Sequence, residues 1–250
     1  MSLEFLVTWL MVLLRTLGVI SQLPLVAGRP IPMMAKVGMG MCIATLLVGI
    51  VPAAVVPVTL GDLVVAVGGE TLVGLALGFV GRLAFAAAEM AGRIITTEVG
   101  LTASPGMGIP EPSSEPMAAL LSTFAIVLFF LFGGHLMMLS ALAKSFSIVV
   151  AGRPQLAPDA GESMIAATAH LIELGLRLSA PFIAMNFLVV LSFSALGRVV
   201  PKLNPFIISF SVKSIAGLGL LATAGGLIAS YLYQEFSDTP LRMLELVIGS

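Results

Sequence analysis

The chain has 250 residues, of which 58% are hydrophobic and only 10% charged, with a net charge of -1. Soluble domains typically carry about 25% charged residues, so at a mean hydropathy of +1.12 this surface needs lipid or a large protein partner to cover it. The charge balance offers nothing to nucleic acid. The single cysteine, Cys42, can form neither an internal disulfide nor a thiol pair for a metal.

The N-terminus begins Met1-Ser2-Leu3-Glu4, acidic rather than basic, so the first hydrophobic segment is expected to be retained rather than cleaved as a signal. Hydrophobic segments then fall at 3–25, 33–56, 63–88, 117–143, 164–196 and 206–233. Each reaches or approaches the roughly 20 residues that a helix needs to cross hydrocarbon, and helices are required because lipid cannot satisfy backbone polar groups. The fourth segment is the cleanest, with Gly133-Gly134-His135 near its far end. The breaks are rich in proline, at 28–32, 52–57, 154–158 and 201–205. The fifth segment exceeds one bilayer thickness and contains Pro181, which predicts a kink or a soluble extension. The fold expected is all-α, a polytopic membrane protein with some helices broken or hairpin-like.

Loop charges favour both termini outside. That orientation puts Arg29, Lys36, Arg82, Arg93, Arg198 and Lys202 inside, and Lys144, Arg153 and Arg242 outside. Residues 22–36 and 92–117 are too polar and too interrupted to face lipid. Within the second stretch, residues 102–116 hold four prolines and two glycines, excluding a regular helix or strand. Two readings stand for its central run, Ser104, Pro105, Gly106, Met107, Gly108, Ile109, Pro110 and Glu111. It is either an exposed linker or a loop folded back into a cavity as an adaptable plug.

Arg15, Glu70, Glu89, Arg93, Glu173, Arg177 and Lys213 lie in or at the edge of apolar runs. Burying one unpaired costs at least about 2.5–3.5 kcal/mol, so each should face protein or water. Glu89 and Arg93, and Glu173 and Arg177, are spaced to neutralise each other on one helical face; a proton relay is the alternative use of such charges. Gly74 and Gly78 form a GxxxG pattern for close helix packing, either within the chain or against other subunits. The fourteen methionines read as gap-fillers. His135 and His170 stand isolated, better suited to capping or packing than to catalysis. With no HExxH, no G-x-S-x-G and no P-loop, neither an enzyme nor a cofactor or metal site is expected.

The ordered series of residues resembles the FliR/SctT family of type III export-gate proteins. It begins with Arg15, Pro24, Ile31-Pro32 and Lys36, and continues through the run from Glu70 to Phe79, Ala91-Gly92, Gly100-Leu101, Gly134-His135 and Ser145-Phe146. The C-terminal part is the most specific: Leu176-Arg177-Leu178-Ser179-Ala180-Pro181, then Arg198-Val199-Val200-Pro201-Lys202-Leu203-Asn204, then Phe210-Ser211-Val212-Lys213. The chain departs from the family pattern at Arg93, Lys202 and the proline-rich loop. The resemblance marks Arg15, Glu70, Arg198, Pro201, Asn204 and Lys213 as motif residues. It implies one membrane unit over 1–250, with a FliP-like part at 1–150 and a FliQ-like hairpin at 158–250. Such a unit would be a structural, channel-forming subunit of the flagellar export gate in the bacterial inner membrane and basal body. Its partners would be FliP, FliQ, FlhB, FlhA, membrane lipid and the unfolded proteins exported, and the loop after Leu101 would act as a closure element. Flagellar is preferred over a virulence system because flagellar members are the more abundant. The competing class is a self-contained transporter or channel with Glu70, Glu89 and Arg93 along a substrate path.

Overall fold

A computed structural model describes residues 3–23, 32–101, 115–199 and 205–248. The described residues form seven helices and no strand: α1 (Leu3–Gln22), α2 (Met33–Leu47), α3 (Leu60–Glu98), α4 (Pro116–Leu131), α5 (Gly134–Ile148), α6 (Ala160–Val199) and α7 (Pro205–Ile248). Each of the six hydrophobic segments contains helix among its described residues, although the second is helical only as far as Leu47 and the fourth is broken before Gly134. By length and composition α1, α3, α6 and α7 can each cross a membrane, as can α4 and α5 taken together as a broken span. The remaining helix, α2, has only 15 residues. If it does not cross, five spans would leave the termini on opposite sides, so the two-termini-outside orientation depends on α2.

The cleanest apolar segment, at 117–143, is not one straight helix. The chain turns by 68° between α4 and α5. Gly133 makes the turn with φ +72°, a left-handed conformation that costs glycine little. At Gly134 a side chain would run into the Phe129 ring.

Three helices outrun their expected segments, and in α3 the polar residues at both ends are locally satisfied. The start of α3 is a capping box: Thr59 Oγ1 accepts from the Asp62 amide (3.1 Å) and Asp62 Oδ2 accepts from the Thr59 amide (3.1 Å). Its far end continues to Glu98, past the expected stop near residue 88. Arg93 there pairs with Glu89 at 2.9 Å, and the Thr96 and Thr97 hydroxyls donate to the Gly92 and Arg93 carbonyls. The helix then stops at Gly100 (φ +79°), where the Leu101 amide reaches back to the Thr96 carbonyl and the Gly100 amide to Thr97, a Schellman closure. Helix α6 continues for 40 residues, with Pro181 inside it. The proline deprives the Arg177 carbonyl of its usual donor, but the flanking Leu178, Ser179 and Phe182 are fully buried and hold the helix in place. Helix α7 extends to Ile248, well beyond residue 233.

The chain forms two compact units. Unit 1 comprises Met1–Ala84, Phe129–His170 and Gln234–Ser250; unit 2 comprises Phe85–Leu128 and Leu171–Tyr233. Inside unit 1, α2 is tied to α1 by a Trp9–Thr45 hydrogen bond (3.0 Å) and by Lys36 donating to the Ser21 carbonyl (3.2 Å). The α2–α3 and α5–α6 connections meet where the Val55 amide donates to the Ala151 carbonyl (2.9 Å). Inside unit 2, Gly92 lets α3 approach the backbone of α4 at Ala118 so closely that a Cβ would collide. The turn at Val99–Gly100 packs there against α7 through Gly217 and Phe210.

Candidate functional site

The most heavily engineered point of the described chain is a buried charge cluster in unit 1. Arg15 sits midway along α1 and Glu70 lies in α3, both fully buried. Arg15 Nε donates to Glu70 Oε2 at 2.7 Å. Its other two nitrogens donate to Ser145 Oγ on α5 and to the Val149 carbonyl just beyond, each at 3.1 Å. Glu70 Oε1 accepts from the Gly152 amide at 2.9 Å. The guanidinium carbon also lies 4.1 Å from the centre of the Phe146 ring. Both charges are thus paired and their remaining hydrogen-bonding capacity is largely used, the condition under which a buried ion pair is tolerable. The cluster fastens α1, α3, α5 and the start of the α5–α6 connection to one another.

Gly74 and Gly78 lie on the same α1–α3 seam. A Cβ on Gly74 would strike the Arg15 carbonyl, one on Gly78 would come 2.9 Å from the Val19 backbone, and one on Gly18 would come 2.7 Å from Gly74. Both glycines therefore serve close packing inside this chain. Glycine brings the two backbones together, and the closeness lets Arg15 reach Glu70. The i, i+4 arithmetic could not reveal that pair, because its members are 55 residues apart.

The locally spaced pairs form as their spacing implies, in unit 2 and on the surface. Arg93 pairs with Glu89 and also with Glu115 at 3.1 Å, and Arg177 pairs with Glu173 at 2.6 Å. A second unforeseen cluster in unit 1 involves His170, which is not isolated. It lies 2.8 Å from one oxygen of the buried Glu235, whose other oxygen accepts from Arg242 at 2.6 Å. His135, at the start of α5, packs against the rings of Phe129 and Phe130.

Of the other motif residues, Arg198 is exposed in the last turn of α6 and Lys213 is half-buried in α7. Pro201, Asn204 and the loop residues Ser104 to Glu111 lie outside the described residues. Among the described residues no group of three or more His, Cys, Asp or Glu side chains is gathered as metal ligands. The route proposed for a transporter meets an obstacle at Glu70, whose carboxylate is enclosed and engaged at both oxygens.

What this geometry provides is mechanical: a locked helical body in unit 1, and long apolar helices with little internal cover. On α6 the most apolar window is only 6% buried within the chain. Residues 6–239 match the family described as bacterial export proteins, family 1. The chain is 32% identical over 228 residues to the flagellar biosynthetic protein FliR of Escherichia coli K12, covering 90% of this chain and 87% of that protein. It is 29% identical to FliR of Caulobacter vibrioides over 85% and 86% of the respective chains. Against the Yop proteins translocation protein T of Yersinia pestis it is 28% identical, over 73% and 68%.

Proposed function

The chain belongs to the bacterial export protein family 1, and from that premise we propose that it is the FliR-type subunit of a flagellar type III export gate. A helical membrane protein and structural component of an export apparatus, it would assemble with FliP and FliQ in the inner membrane, within the basal body. FlhB and FlhA would be further neighbours, and unfolded flagellar proteins the cargo. What supports the flagellar reading is the likeness to FliR of E. coli, 32% identical over 90% of the chain, against 28% over 73% for the Yersinia translocation protein T. A virulence export gate is the second reading, favoured by that shorter match.

The uncovered helices support the assembly. Helix α6 has 40 residues and α7 has 44, about 60 and 66 Å of helix at 1.5 Å per residue. A hydrocarbon core is only about 30 Å thick. Lipid alone cannot cover apolar faces of that length, whereas neighbouring subunits can. In this reading residues 1–150 play a FliP-like part and residues 158–250 a FliQ-like hairpin. The loop 104–117 closes the channel, its prolines presetting the backbone and Gly106 and Gly108 letting it move aside.

Affinity purification of the tagged full chain from its native membranes, followed by mass spectrometry, tests the proposal. FliP and FliQ should co-purify. Recovery of virulence-system counterparts instead would move the assignment to the second reading, and a monodisperse chain moving a solute in liposomes would return it to a transporter. Removing residues 106–115 should leave the complex assembled but leaky to ions or small solutes; unchanged conductance in an intact complex would reduce the loop to a linker.

A further inference from the structure

Of the seven charged residues that stand in apolar runs, six are accounted for by three ion pairs: Arg15–Glu70, Arg93–Glu89 and Arg177–Glu173. Lys213 is the seventh. It lies half-buried in α7 and makes no ion pair or hydrogen bond among the described residues. The carboxylate in the last turn of α3, Glu98, accepts instead from the Asn186 amide of α6 at 2.5 Å.

Lys213 stands at the end of a groove within unit 2. Between α6 and α7 lies an open hollow of about 610 Å³, lined by Ala184, Met185 and Leu188 on one side and by Ala216, Gly219 and Leu220 on the other. Spacings of three and four residues put Lys213, Ala216 and Leu220 on one stripe of α7, so the lysine continues the line of the groove. Nothing stands within 4 Å of where a Gly219 side chain would begin, whereas the Gly217 position is closed by Val99. Small residues so placed let a further helix approach closely, and Leu188 beside them remains 62% exposed.

Whatever fills this groove also strips water from Lys213. A charge buried without a counter-ion is strongly unfavourable, so a purely apolar occupant would strand the ammonium group. We propose that the groove receives a helix of another subunit, apolar and carrying one aspartate or glutamate that pairs with Lys213. The proposal rests on the assembly reading given above and adds the chemistry of the partner to it. The small residues supply closeness and the ion pair supplies register, since a slip of one helical turn, about 5.4 Å, would part the charges.

The test is zero-length carbodiimide coupling, which joins an amine to a carboxylate only where the two touch, applied to the complex purified with the tagged full chain. Peptide mass spectrometry should find Lys213 joined to an aspartate or glutamate of another chain. Gly219→Trp, which fills the groove, should reduce that product at least tenfold. Lys213→Met should lower partner recovery roughly tenfold, the loss of one charged hydrogen-bond partner, and Lys213→Arg should preserve it. Lys213 joined to Glu98, or to any other carboxylate of its own chain, overturns the proposal. So does an intact complex with no product at Lys213. Acetylation there as fast as at the exposed Lys144 would then show the groove open to water, and protection lost on delipidation would show it filled by lipid. A product indifferent to Gly219→Trp puts the partner outside the groove and overturns the proposal as well. If no other chain co-purifies, the assembly reading falls and takes this one with it.

Discussion

Helices α1 and α6 are both apolar enough to cross a membrane, yet half of the most apolar window of α1 is buried inside the chain and only 6% of that of α6. Hydropathy ranks them alike, but they do different work. Arg15 on α1 is covered by α3 and α5, and Gly18 lets α3 lie directly against the helix. On α6, Phe187, Leu188 and Leu191 stand half to two-thirds exposed. The first helix is a core element that happens to be hydrophobic. The second presents a surface awaiting cover.

The contrast breaks most decisively at the charge cluster. Glu70→Ala should destabilise the chain by about 3–5 kcal/mol, because it leaves Arg15 buried and unpaired. Arg15→Met combined with Glu70→Leu should recover much of that loss, read as resistance to denaturant unfolding in detergent. If the double variant were as damaged as the single, the cluster would be doing something other than neutralising a buried charge. Next in size is Gly74→Leu, expected to cost about 1–3 kcal/mol by overpacking the α1–α3 seam. Its signature is a less stable isolated chain, with any loss of FliP and FliQ recovery following from that. Normal stability with lost recovery would instead place the glycine on an intersubunit face.

Leu188→Ser with Leu191→Ser on α6 reverses the pattern. Stability of the isolated chain should change by no more than about 0.5 kcal/mol per site, while co-purification of partners falls sharply. Retained partners would mean that lipid alone covers this face. The smallest effect belongs to Arg177→Ala. Its pair with Glu173 lies more than half exposed and is worth about 0.3–0.5 kcal/mol, within the scatter of a thermal melt. A shift of several degrees would show that the pair is buried in the assembly.

The sequence made legible what depends on neighbours along the chain. Each of the six apolar segments holds helix because composition and length demand it, though the second only as far as Leu47, and Glu89–Arg93 and Glu173–Arg177 paired because their spacing is local. Arg15 and Glu70 were each conspicuous as charges in apolar runs, but nothing in a linear chain joins residues 55 apart. His170 and Glu235, 65 apart, escaped for the same reason. Pro181 pointed to a kink or a soluble extension, because propensity counts the missing hydrogen bond; the helix continues through it, with Leu178 and Phe182 buried on either side. The turn at Gly133 lay hidden within the most uniform apolar run, where the glycine pair was the one visible mark.

The Arg15–Glu70 pair also imposes an order in time. Arg15 leaves the ribosome 55 residues before its partner, and at about 5–20 residues per second that is roughly 3–11 s of synthesis. The Ser145 hydroxyl and the Val149 carbonyl arrive later still. Throughout that interval α1 carries an arginine with no counter-ion of its own. Placing that unpaired charge in lipid costs at least about 2.5–3.5 kcal/mol, a cost that falls away once α3 brings Glu70 alongside. The first helix to be made is thus among the last to be completed.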